Sequence, residues 1–175
     1  MTPNLDPLHF PIGTFKPPAS ISEKQIQLWI AEIEALPDQL KQTVKTLSEE
    51  DTNLTYRPNG WTIKQVIHHL ADSHMNSYIR FKLAFTEENP TIRPYFEERW
   101  AECEEAKNAD IHISLNILEA LHKRWGLFLR SLKLNDWDKT FYHPENKQSI
   151  PLKEVAGLYA WHGKHHLNHI LTALK

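Results

Sequence analysis

Apolar side chains recur at helical spacing in four long stretches of the chain. The first follows Ser22, a residue type suited to an N-cap. It runs through Ile26, Trp29, Ile30, Ile33, Leu36, Leu40, Val44 and Leu47. Pro37 falls inside this stretch and predicts a kink or two abutting segments. The second begins at Thr62-Ile63-Lys64-Gln65, a capping-box sequence. Its stripe is Ile63, Val66, Ile67, Leu70, Tyr78, Phe81 and Phe85, and it should end near Glu88, ahead of Pro90. The third carries Ile113, Ile117, Leu121, Trp125, Phe128 and Leu132. Gly126 lies within it at a cost of only about 1 kcal/mol. The fourth runs from about Pro151, suited to the first helical position, to Leu174.

The intervening segments read as connectors. Pro3, Pro7, Pro11, Pro17 and Pro18 make residues 1–21 an extended arm over the domain. Asp51 to Gly60 is a loop, and Pro94 opens a shorter helix through Trp100 to about Ala106. Lys107 to Asp110 is a polar link. Phe141-Tyr142 and Ser149-Ile150 give a weak hairpin signal in a turn-rich stretch, and strand content should be close to nil. Four principal helices predict an all-α fold, an antiparallel four-helix bundle forming one domain over residues 1–175.

Composition narrows the function. A formal net charge of −2, with no block of about five like charges, gives no support to nucleic acid or a polybasic membrane contact as partner. No apolar run reaches the ~18 residues of a membrane span, and the N-terminus has no signal-peptide core. The single cysteine, Cys103, fits a reducing cytoplasm and has no activating neighbour in sequence. No Gly-rich phosphate loop is present.

Histidine is the departure from ordinary composition. Four of the chain's 11 histidines lie in Trp161-His162-Gly163-Lys164-His165-His166-Leu167-Asn168-His169. At ~100° per residue, His162, His166 and His169 share a stripe with core-type residues, while His165 projects off it. A buried, unpartnered polar group costs roughly 1–3 kcal/mol, so the stripe calls for a shared partner such as a metal ion. The second cluster, His68-His69-Leu70-Ala71-Asp72-Ser73-His74, opens the helix after Thr62. There His69, Ser73, Asn76 and Arg80 share a face with Asp72 at its edge. His68 projects away from the core and His74 into it. If the two helices face each other, His69 can complete a site with His162 and His166. Histidines at i and i+4 can chelate one ion, and three neutral imidazoles suit zinc, nickel, copper or iron. No glutamate lies between His162 and His166, so this is not the zincin motif. Trp61, Trp125 and Trp161 read as core and cap residues, and His9, His112, His122 and His143 carry no assignment.

Several longer motifs are similar to one family. Phe10-Pro11-Ile12-Gly13, Gly60-Trp61-Thr62, the run from His68 to Lys82, Thr91-Ile92-Arg93-Pro94-Tyr95, Phe141-Tyr142-His143-Pro144 and Gly157 to His162 resemble the YfiT group of the DinB-like superfamily, over essentially the whole chain. The resemblance implies a homodimeric cytoplasmic four-helix bundle with a divalent transition metal, zinc first and nickel second, one per chain. It matches the ligands to His69, His162 and His166. It leaves His169 beside them, where the wider superfamily often has Gln. The family is labelled as metal-dependent hydrolases, and related proteins transfer low-molecular-weight thiols such as bacillithiol or mycothiol.

Three functions are expected in turn: a hydrolase activating water against a small-molecule substrate, a thiol S-transferase at the same site, or a metal-binding bundle without turnover. For the hydrolase, Asp72 is the nearest carboxylate for a general base. Asn76 and Arg80 are candidates to hold a polar or anionic substrate group.

Overall fold

The computed structural model describes residues 6–175, so the first five residues of the expected arm lie outside it. From Asp6 to Ser22 the chain forms turns and extended backbone, with no helix before α1, Glu23–Val44. The Ser22 hydroxyl accepts from the Gln25 N–H at 3.2 Å, as an N-cap should. Helix α2, Ile63–Thr86, opens with the expected capping box: the Gln65 N–H donates to Thr62 Oγ1 and the Thr62 N–H to Gln65 Oε1. Two short helices follow, α3 at Glu97–Trp100 and α4 at Glu104–Asn108. Helix α5 is Ile111–Ser131 and α6 is Leu152–Ala173. Between them a hairpin pairs β1, Thr140–His143, with β2, Gln148–Pro151, placing Phe141 opposite Ile150.

The four long helices form a bundle in which α1 packs on α5 and α6, and α2 packs on the same two helices. Side-chain pairings give the directions. Lys41 meets Glu119 and Glu34 meets Arg130, so α1 and α5 are antiparallel. Ser73 meets Tyr159 and His69 meets His162, so α2 and α6 are antiparallel as well. Along α2 and α5, His68 meets Ser114 and His74 meets His122, which is a parallel pairing. The order is therefore up, down, down, up. A parallel α2–α5 pair needs a connection that travels the length of the bundle. Residues 87–110 supply it and carry α3 and α4, both of which pack on α2.

Four expectations are corrected. Helix α1 is one continuous element through Pro37 and not two abutting segments. The single helix expected from Pro94 to Ala106 is two, because the backbone at Cys103 is extended (φ −64°, ψ 154°) and interrupts the helical turn. On α5 the buried stripe is Ile111, Leu115, Leu118, His122, Trp125 and Leu129, whereas Ile113 and Ile117 are exposed. His68 and His165, expected to project off the core, are both buried.

Two apolar clusters fill the interior. One gathers Ile30, Ile33, Phe81, Trp125, Leu152 and Val155, and the other Leu40, Ile63, Ile67, Leu70, Leu118 and Ile170. Along the helix sequences, His74 of α2, His122 of α5 and the buried histidines of α6 lie between them.

Candidate metal centre

His69 stands on α2 and His162 and His166 stand one turn apart on α6, which faces α2. One ring nitrogen from each of the three lies within 4.8 Å of the others. His69 Nε2 and His162 Nε2 are 3.3 Å apart. Two imidazole nitrogens at the usual zinc distance in a tetrahedral shell are also about 3.3 Å apart. Burial lowers the pKa of His69 to about 4 and those of His162 and His166 well below the ordinary value, and the neighbouring histidines add to each shift. All three rings are therefore neutral at pH 7 and keep a lone pair. A clustered set of neutral nitrogen donors with no carboxylate in it fits a divalent transition metal.

Adjacent His68 has both ring nitrogens engaged. Nε2 donates to the Ala109 carbonyl at 3.2 Å, and Nδ1 accepts from the Ser114 hydroxyl at 2.7 Å. That second contact pins α2 to α5 and leaves no lone pair for an ion. His169 Nε2 donates to the His9 carbonyl at 3.1 Å, and its Nδ1 lies 3.3 Å from His166 Nδ1. The described arm thus reaches the site. Phe10 packs near His165, which stacks on Trp161 with ring centroids 4.5 Å apart. Trp61 packs on both His69 and His166.

Two cavities meet at His162. One, about 550 Å³, is lined by Ser73, Arg80, Tyr95, Glu97, His143 and Tyr159 among others. The second, about 540 Å³, adjoins His69 and His166 and is lined by Tyr56, Arg57, Trp61, Glu97, Glu98 and Glu102 among others. Arg80 is among the residues lining the first cavity, and its guanidinium donates to the Arg93 carbonyl at 3.3 Å. Asp72 and Asn76 are not among the lining residues of either cavity. Asn76 donates back to the Asp72 carbonyl, and burial with the nearby Glu105 raises the Asp72 pKa to about 6.

Sequence reasoning did not single out Tyr95, Glu97 or His122, and His74 is buried in the core as its helical projection predicts. The buried Tyr95 hydroxyl has no hydrogen-bond partner, and desolvation pushes its pKa up. Desolvation also raises the Glu97 pKa, with a contribution from Glu98. His74 and His122 are bonded to each other in the core. A histidine four residues after Leu118 and three before Trp125 was the signal available for His122.

Comparison with known proteins agrees with this architecture. A family model described as the DinB superfamily matches residues 28–170. A Bacillus cereus protein named "Putative metal-dependent hydrolase" is 51% identical over 171 residues, covering 98% of both chains. A Bacillus anthracis protein of the same name is 50% identical over the same span. The solved structure of YfiT from Bacillus subtilis, described as a "probable metal-dependent hydrolase with an unusual four-helix bundle topology", is 48% identical. It covers 96% of each chain with a TM-score of 0.94. A mycothiol-dependent maleylpyruvate isomerase shares the fold at 14% identity and a TM-score of 0.66, over 83% of this chain and 60% of that one. The chain belongs to the DinB superfamily and, within it, to the YfiT group.

Proposed function

We propose that this protein is a metal-dependent hydrolase acting on a small molecule, with one divalent transition ion held by His69, His162 and His166. The observation that carries this reading is the cluster of three neutral imidazole nitrogens at the junction of two cavities. The donor set suits zinc, nickel, copper or iron, and zinc is the ion to test first. A bound ion supplies Lewis acidity and brings the pKa of a water toward neutrality.

The remaining work falls to the chain's own side chains. Glu97 lines both cavities, and its raised pKa suits a group that accepts and returns a proton. It takes the general-base role expected of Asp72, which lines neither cavity. Tyr95 carries an unpartnered hydroxyl that can donate to a substrate oxygen. Arg80 offers positive charge to an anionic substrate group, while Asn76 spends its amide N–H on the Asp72 backbone carbonyl. Trp61 shields the ligand rings from water, and His169 orients His166. The family resemblance supports a cytoplasmic homodimer, and no helix among the described residues is long and apolar enough to cross a membrane.

Metal analysis tests the site. Wild type should bind one ion per chain, and His69→Ala, His162→Ala and His166→Ala should each lose it. Full occupancy in all three variants would overturn the assignment. A panel of esters, amides and lactones, with metal-loaded and metal-free protein, tests the reaction. One observation favours thiol transfer as a second reading: Gly163, Lys164 and His165 place no carboxylate between the two α6 histidines. An ion held by these histidines would lower the pKa of a thiol directly, so thiol transfer would need no general base there. Adduct formation from a low-molecular-weight thiol and monochlorobimane, with no ester or amide cleavage, would select that reading.

A further inference from the structure

Pro37 lies inside α1 and has no N–H to give. The carbonyl four residues earlier, that of Ile33, therefore lacks its helical partner. It accepts a hydrogen bond from His122 Nδ1 at 2.5 Å. A carbonyl oxygen only accepts, so the proton sits on His122 Nδ1 and a neutral His122 ring presents a bare Nε2. His74 Nδ1 lies 2.9 Å from that atom and must donate to it. The His74 Nε2 is then bare and lies 3.2 Å from His162 Nδ1, which must donate in turn. A proton on His162 Nδ1 leaves His162 Nε2 bare, and this is the atom that faces His69 Nε2.

Neutrality of the chain of rings follows from its surroundings. His74 and His122 are 0% and 1% exposed, and Trp125 and Tyr159 wall them with aromatic rings. No carboxylate is among their hydrogen-bond partners. The other α6 ligand is arranged in the same way from a different carbonyl. His169 donates through Nε2 to His9, so its Nδ1 accepts from His166 Nδ1 and leaves His166 Nε2 bare.

We propose that the Ile33 carbonyl, freed by Pro37, sets a one-way relay through His122 and His74 that fixes His162 as its Nδ1–H tautomer, so that its Nε2 lone pair is ready for the metal. His74 and His122 are positioning residues for this ligand, and the assignment rests on reading His162 as a metal ligand. Partners that orient a metal-ligating histidine typically change affinity 10- to 100-fold when removed.

Long-range 1H–15N spectra of the metal-free protein report the tautomer of each ring. His122, His74 and His162 should all appear protonated at Nδ1. An Nε2–H signal for His162 in wild type overturns the relay. His122→Leu removes the anchor; it should mix the tautomers of His162 and weaken zinc binding about 10- to 100-fold in a chelator competition. His122→Gln can donate to Ile33 and accept from His74, and should restore both readouts. Unchanged tautomer and affinity in His122→Leu overturn the proposal. If that variant does not fold, the wild-type spectrum and His122→Gln still decide. Absence of zinc binding in wild type with the expected metal-free tautomers would instead sink the metal assignment.

Discussion

His68 and His69 are neighbours with different work, and hydrogen bonding separates them. His68 spends both nitrogens on Ala109 and Ser114, whereas His69 faces His162. His68→Ala should therefore keep full metal occupancy while losing about 1–3 kcal/mol of stability, since it leaves a buried carbonyl and hydroxyl unpaired. Urea unfolding alongside metal analysis checks this; loss of the ion with stability intact would contradict it. The family motif points to His69 and not His68, but the sequence does not show what His68 bonds to instead. Position 68 looked outward in a four-helix projection because the chain gives no sign that α5 packs there in parallel with α2. His122 was missed for a related reason. The stripe through Ile113 and Ile117 has a valid helical period, but the bundle buries the face through Leu118 and Trp125. Two adjacent faces of one apolar-rich helix cannot be ranked by period alone.

The elements themselves were mostly legible because their ends are local chemistry. The Thr62–Gln65 capping box forms as its sequence implies, and Thr62→Ala should cost about 1 kcal/mol. Pro37 is the exception, since a proline that ends or bends many helices is accommodated by a distant histidine that takes the orphaned carbonyl. Close helix approach was equally invisible. A Cβ on Gly157 would meet the Trp29 and Phe15 rings at 2.9 Å, at the contact of α6 with α1. Gly157→Ala should gain helix propensity yet lose about 1–3 kcal/mol to overpacking, lowering the thermal midpoint by several degrees. A raised midpoint would show that α1 and α6 can separate freely at this point.

Across the whole molecule, the buried histidines couple stability to pH. His122 titrates at about 6.5 in the free chain and at about 4 when folded, because burial penalises its charged form. Between those values the unfolded chain holds a proton that the folded one does not. Stability from this group is thus fully present above about pH 6.5 and is lost as pH falls toward 4, by on the order of 3 kcal/mol. His74, His162 and His166 shift in the same direction. Asp72 opposes them: its folded pKa of about 6 favours the folded state at low pH, and that contribution is lost as pH rises through 6. Four deeply buried imidazoles outweigh one half-buried carboxyl. The urea midpoint of the metal-free protein should fall between about pH 7 and pH 5, with a smaller fall in His122→Gln. A midpoint that does not move would mean that these rings are not neutral in the core.

By itself the sequence determined the four long helices, the capping of the second and the two histidine clusters. These features depend on spacing and local hydrogen bonding, and a chain carries both. Only the tertiary structure decided the up-down-down-up order, the α5 face that is buried, and the pairing of Pro37 with His122. It also set Tyr95 and Glu97 in the cleft and left Asp72 out of it. Each of these depends on which helix lies beside which. Helical periodicity gives a helix an inside, but it does not name the neighbour that the inside will meet.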